Sequence, residues 1–214
     1  MTTPRSQSLH KLVFELYAKH KESLLFHGWH HINFVTNKAR EFANLIEANV
    51  EIVECAALVH DINYIVELNS EPIAGQKLRS ELLAEVGFDD GEIQHIESII
   101  NESHTANRTA EISNEGKALS DADTLFKAIP TTPIFFSSKY VLENNINIAR
   151  LANKIVTEQR PLIDQDIYFY IPQVKAKYNA WALSAIQLWE NMIEALQDKD
   201  IIELLDIAKE NGAI

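Results

Sequence analysis

Cys55-Ala56-Ala57-Leu58-Val59-His60-Asp61 is an apolar run that ends abruptly in two ionisable side chains. Read alone, the first five residues belong inside a protein. A carboxylate left unpaired in apolar surroundings costs several kcal/mol, so it shifts its pKa, finds an opposite charge or coordinates a metal. A neutral imidazole beside a carboxylate is a donor pair that suits a divalent cation. Outward from this run the chain is poor in breakers, with six Gly and six Pro in 214 residues, and almost every segment has helical rather than alternating apolar periodicity. The expected fold is therefore all-α.

Helices are expected at about 6–22, 29–48, 50–62, 74–87, 90–104, 114–129, 138–158, 174–197 and 199–210. Gly87-Phe88-Asp89-Asp90-Gly91 reads as a C-terminal glycine followed by an N-capping aspartate, a helix-turn-helix signal. Pro130 and Pro133 punctuate a loop, and Arg160-Pro161 closes the helix before it. The length fits a single domain over 1–214, with the histidine-rich stretch of about 24–130 as its functional core and C-terminal helices over about 138–210. In that C-terminal part Tyr178, Trp181, Ala185, Leu188, Trp189, Met192 and Leu196 share one helical stripe, expected to pack into the core and leaving a homodimer face open as the alternative.

Composition narrows the function. The formal charge of −12 argues against a nucleic-acid binder, since phosphate backbones are held by clustered Lys and Arg. A small anionic substrate stays compatible if a cation and a few local basic residues reverse the sign at the site. One cysteine, Cys55, excludes an intramolecular disulfide and a cysteine-rich zinc site, and its neighbours make it a core residue. No apolar stretch approaches the roughly 20 residues of a membrane span, and the first residues form no apolar signal region. The expected location is the cytoplasm.

Projection at 100° per residue sorts the polar side chains. Phe34, Val35, Ala39, Phe42, Leu45 and Ile46 define the inner stripe of the 29–48 helix, which carries His31 at its centre and His27 close to it, while His30 points away. On 114–129 the stripe Ala118, Leu119, Ala122, Leu125, Phe126 and Ile129 has Asp123 at its edge, and Asp121 faces nearly the opposite way, towards solvent. On 90–104, His104 lies nearer the inner face than His95. The inward set is His31, His60, Asp61 and Asp123, with His27 and His104 nearby. Mixed N/O donors suit Mn²⁺, Fe²⁺, Co²⁺, Ni²⁺ or Zn²⁺ better than Ca²⁺.

The pattern His27-Gly28-Trp29-His30-His31-Ile32-Asn33-Phe34-Val35, then Ala56-Ala57-Leu58-Val59-His60-Asp61-Ile62, then Ile99-Ile100-Asn101-Glu102-Ser103-His104, then Ser120-Asp121-Ala122-Asp123-Thr124-Leu125 resembles the HD-domain metal-dependent phosphohydrolase superfamily over about 24–130. The resemblance implies an HD-type helical bundle with His31, His60, Asp61 and Asp123 as ligands of one divalent transition metal. It also implies that His27 holds phosphate or moves protons, and that His104 contacts substrate or, in two-metal relatives, a second ion. With no histidine between His60 and His95, one metal is favoured. The implied reaction is hydrolysis of a small phosphate ester or nucleotide by a metal-activated water, with Asp61 at the reacting centre and His27 or His104 protonating the leaving oxygen. Lys77, Arg79, Arg108 and Lys127 flank the motifs as candidates for phosphate contacts.

One departure matters. Many relatives carry an acid shortly after the His-Asp pair, whereas here Ile62-Asn63-Tyr64 follows, so Glu67 or Glu71 must swing in or a histidine must do the proton work. Two further readings stay open: a di-iron HD-type oxygenase, which needs a second ion near His104, and a degenerate regulatory module that binds a nucleotide without turnover.

Overall fold

The computed structural model describes residues 3–213, and among them every regular element is helical. In chain order these are α1 (Pro4–Lys19), α2 (Trp29–Leu45), α3 (Val50–Val59), the single turn α4 (Asn63–Val66), α5 (Gln76–Glu85), α6 (Asp90–Ser103), α7 (Asn114–Ala128), α8 (Thr132–Asn144), α9 (Ile148–Asp164), α10 (Pro172–Ala195) and α11 (Lys199–Glu210). Short 3₁₀ turns at Pro72–Gly75 and Thr105–Asn107 join α4 to α5 and α6 to α7. No helix is long and apolar enough to cross a membrane among the described residues.

Local chemistry sets the helix ends. Asn49, Asp89, Ser113 and Asn147 each accept a bond from a backbone N–H in the first turn of α3, α6, α7 and α9, satisfying donors that the helix itself cannot. Gly87 has φ of +92° between α5 and α6, a conformation that costs other residues 1–2 kcal/mol. The Gly-to-Asp hinge therefore forms as the sequence suggests.

Helix α3 is the axle. All of Ile52 to Val59 is buried, because α2, α6, α7 and α1 pack around it. A helix that is apolar on every side must be surrounded, and each fully buried Leu, Ile or Val contributes about 1.5–3 kcal/mol. Cys55 lies in this packing with no exposure, and burial pushes its thiol pKa up. Within the same helix Glu54 is buried against the Arg40 fork of α2, with Arg40 Nη2 2.6 Å from Glu54 Oε1.

Three sequence expectations change in the C-terminal half. The expected 138–158 helix is two helices, broken where Asn145 adopts the left-handed conformation (φ 48°), and α8 begins earlier, at Thr132. Pro161 lies inside α9 rather than ending it; it sits in the last turn, where only one backbone bond is forfeited. The aromatic stripe of α10 is rotated from the expected one. Val174, Tyr178, Ala182, Ala185, Ile186 and Trp189 are buried, while Trp181 and Leu188 are exposed.

Near the N-terminus Arg5 forks onto two acids, with Nη2 2.7 Å from Glu51 Oε2 and Nη1 2.8 Å from Glu92 Oε2, and lies over the Phe88 ring. The Arg5 hydrogen bond holds the Glu51 carboxyl below its usual pKa. A depressed carboxylate stabilises the fold above its unfolded pKa and loses that stabilisation as pH falls through the folded value. Arg5→Ala is expected to lower the urea-unfolding free energy by about 1 kcal/mol at pH 7. The gap to wild type should shrink at pH 3. An equal gap at both pH values would assign the effect to packing on Phe88 instead.

Candidate metal centre and ligand cavity

Four side chains from three elements converge where α2, α3 and α7 meet. His31 is set in the first turn of α2 by Gly28, whose backbone carbonyl accepts from the His31 and Ile32 N–H groups at 3.0 and 3.2 Å. Glycine is required there by space, since a Cβ at residue 28 would lie 2.5 Å from the Leu24 carbonyl oxygen. His60 closes α3, and its Nδ1–H donates to the Ala57 carbonyl at 2.7 Å. That bond fixes the tautomer and leaves Nε2 as a lone-pair donor facing the cluster.

The distances are those of a ligand set. His31 Nε2 lies 3.0 Å from Asp61 Oδ2, 3.3 Å from His60 Nε2 and 3.6 Å from Asp123 Oδ1, and His60 Nε2 lies 3.2 Å from Asp61 Oδ2. Two donors about 2.1 Å from one ion and at right angles stand roughly 3 Å apart. Two imidazole Nε2 atoms turned towards each other between carboxylates are a poor hydrogen-bond arrangement and a good cation site. His31, His60 and Asp61 form the tightest group, and Asp123 stands beside them with its other oxygen, Oδ2, held 2.7 Å from Lys127 Nζ.

The electrostatics keep the carboxylates ionised. Burial alone would push Asp61 and Asp123 up, yet His60 and His31 around Asp61, and Lys127 with both imidazoles around Asp123, hold both below the usual carboxylate range. Burial pushes His31 down. On His60 the burial effect is outweighed by Asp61, which raises it.

A cavity of about 740 Å³ opens over this cluster, within the roughly 300–1,000 Å³ of small-molecule sites. His27, His104 and Arg108 line it with the four clustered residues, and α8 and α9 complete its wall. His27 lies flat on Tyr64, with ring centroids 3.8 Å apart and planes at 9°. Its Nδ1–H donates to Glu143 Oε1, while Glu143 Oε2 accepts from the Phe26 and His27 backbone N–H groups at 2.7 and 3.2 Å. Burial would raise the Glu143 carboxyl, but the His27 ring and these two N–H groups keep it below its usual value. His104 caps α6 at the cavity edge, its Nδ1 3.7 Å from Glu71 Oε2, and burial lowers its pKa.

The structure thus sorts the sequence candidates. His31, His60, Asp61 and Asp123 come together, with His27 and His104 on the cavity wall. His95 is exposed, and His30 stacks on Phe136 at 4.9 Å rather than turning inward. Asp121 is a correction. Expected in solvent, it is fully buried, because the segment leading into α10 crosses that face of α7 and Asp121 accepts the backbone N–H groups of Tyr170 and Ile171 at 2.8 and 2.9 Å. Burial pushes its pKa up to about 7. The acid missing after Asp61 is not replaced by Glu67, which stays exposed, nor by Glu71, which reaches His104. Glu143, which projection did not single out, supplies a buried carboxylate to His27 instead.

The four basic candidates separate too. Lys77 is exposed, Arg79 is buried on Glu97 at 2.5 Å, Lys127 is tied to Asp123, and Arg108 alone lines the cavity with no carboxylate within 4 Å among the described residues.

Comparison with known proteins matches residues 28–127 to the HD domain family model. A crystal structure of a Lactobacillus plantarum protein, solved as a structural-genomics target, superposes with a TM-score of 0.63 at 19% sequence identity, over 92% of this chain and 97% of that one. That similarity is one of fold. No curated protein matches.

Proposed function

We propose, from the likeness of residues 28–127 to the HD domain family model, that this chain is a metal-dependent phosphohydrolase acting on a small phosphate ester or nucleotide. The observation that carries the reading is the pair of inward Nε2 atoms of His31 and His60 between the Asp61 and Asp123 carboxylates, under a ligand-sized cavity. His31, His60, Asp61 and Asp123 would hold one divalent transition ion (Mn, Fe, Co, Ni or Zn). Such an ion supplies Lewis acidity and lowers the pKa of a water molecule towards about 7.

The rest of the work falls to side chains of this chain. Asp61 touches both imidazoles, and its carboxylate would help hold the ion and take up the proton of a water activated there. His27, clamped at Nδ1 by Glu143, keeps Nε2 for a proton on the cavity side, in the arrangement that orients a general acid or base. His104, its pKa lowered by burial, is the second candidate donor to a leaving oxygen. Tyr64, stacked on His27, and the walls of α8 and α9 limit water around the reacting group.

A panel of phosphomonoesters, nucleotides and cyclic dinucleotides, assayed with Mn²⁺, Co²⁺ and Ni²⁺, is expected to give turnover that requires the ion and is lost in the Asp61→Ala protein. Turnover equal in that control would refute the reading. Calorimetric binding of a nucleotide without turnover would instead make the protein a regulatory module.

A further inference from the structure

We propose that Arg108 anchors an oxyanion site in the cavity and takes a phosphate or carboxylate oxygen of the ligand beside the metal cluster. The proposal deepens the phosphohydrolase reading, and rests on it only in taking this cavity as the ligand site.

The argument starts from how this chain treats its arginines. Arg5, Arg40 and Arg79 each meet a glutamate within 2.7 Å. Arg108 is 8% exposed, more deeply set than Arg5 or Arg40, and no carboxylate lies within 4 Å of it among the described residues. A buried charge without a counter-ion is strongly unfavourable. The nearest acids are committed elsewhere: Asp121 to the Tyr170 and Ile171 backbone N–H groups, Asp123 to Lys127 and His31.

The guanidinium is fixed but unfilled. Nε donates to the Ser103 carbonyl at 3.0 Å and Nη2 to the Ser120 carbonyl at 3.2 Å, while buried Nη1 has no partner. Three of its five N–H donors are left, and the planar fork is the geometry that grips carboxylate and phosphate. Both anchoring carbonyls hold it at the centre of the chemistry. Ser103 precedes His104, and Ser120 is three residues, about 4.5 Å along the axis of α7, before Asp123. In a chain of net charge −12 this rigid cation gives the cavity a local positive point that draws an anion in.

The test uses the full chain stripped of metal by a chelator, so that neither a metal nor turnover enters the readout. Inorganic phosphate and, separately, succinate are titrated by calorimetry into wild type and Arg108→Met. Losing charge-assisted hydrogen bonds is expected to weaken binding about 10- to 100-fold. Tighter phosphate than succinate assigns the site to a phosphoryl group, and the reverse assigns it to a carboxylate. Wild-type affinity for both probes in Arg108→Met, or no binding of either to wild type at millimolar concentration, overturns the proposal. The ¹⁵N resonance of the Arg108 Nε gives a reading that needs no substitution: it should move on adding the bound probe, and a resonance that stays still overturns the proposal even if Arg108→Met does not fold. Anion binding that depends on Arg108 in a protein without hydrolase activity would keep the site and refute the reaction.

Discussion

Asp61→Ala is expected to weaken divalent-metal binding by more than about 100-fold, and with it to remove turnover. Side chains that only support a ligand are worth 10- to 100-fold in metal affinity, and Asp61 stands closer than that: its Oδ2 lies 3.0 Å from His31 Nε2 and 3.2 Å from His60 Nε2, inside the donor cluster itself. Asp61→Asn is the companion that keeps the volume and removes the charge. It should fold like wild type and bind metal nearly as poorly, because the two imidazoles then face an amide. Metal content after dialysis, Mn²⁺ calorimetry and turnover of the best substrate are the measurements. An Asp61→Asn protein with wild-type metal content would remove Asp61 from the ligand set and leave Asp123 as the principal carboxylate.

Glu143→Ala is expected to be the most destabilising substitution around the cavity, although Glu143 itself is buried against His27 and not in the lining. It strips the acceptor from three donors at once, the Phe26 and His27 backbone N–H groups and His27 Nδ1–H, and the site is buried. Each buried donor left without a partner costs about 1–3 kcal/mol, so a loss of about 3 kcal/mol or more, roughly 6–12 °C in Tm for a chain of this size, is the expected result. Glu143→Gln separates folding from chemistry. Its carbonyl oxygen still accepts the backbone N–H groups, but its amide NH₂ now meets His27 Nδ1 and favours the opposite tautomer, with the proton moved to Nε2. Thermal stability should stay near wild type while kcat falls about 10- to 100-fold with KM little changed. The ¹⁵N shifts of the His27 ring report the tautomer directly. Unchanged kcat in a stably folded Glu143→Gln protein would make the clamp structural and pass the proton role to His104.

What could be read from the sequence follows the range of the forces involved. His31, His60 and Asp123 are legible because helical projection needs only local geometry, and the apolar neighbours on α2, α3 and α7 mark the buried side. Asp121 was misplaced by the same method for an instructive reason. It does face away from the main stripe of α7, but the chain before α10 covers that face and brings two backbone N–H groups that need an acceptor. No helical wheel contains that segment. Only the start of α8 is hidden, by Pro133, which reads as a loop residue but occupies the first turn, where its missing N–H costs nothing. A signal was present in Asn144-Asn145-Ile146-Asn147, since asparagine tolerates the left-handed turn at 145 and caps α9 at 147. Glu143 falls within the expected 138–158 helix, but a helical wheel does not show that this helix returns to His27, 116 residues earlier.

The break at Asn145 folds α8 and α9 back as a hairpin of helices over the cluster, and that hairpin lies beyond residue 127, outside the stretch matched to the family. The hairpin thus adds a roof to a cavity whose other walls, Tyr64, His104 and Arg108 among them, lie within residues 28–127. Substitutions at hairpin residues that line the cavity, such as Ser137 or Lys154, are expected to change the shape and polarity of the roof more than the donor cluster, whereas Glu143 must stay to hold His27. A roof set largely apart from the donor cluster would let the choice of ligand vary while the cluster stays as it is.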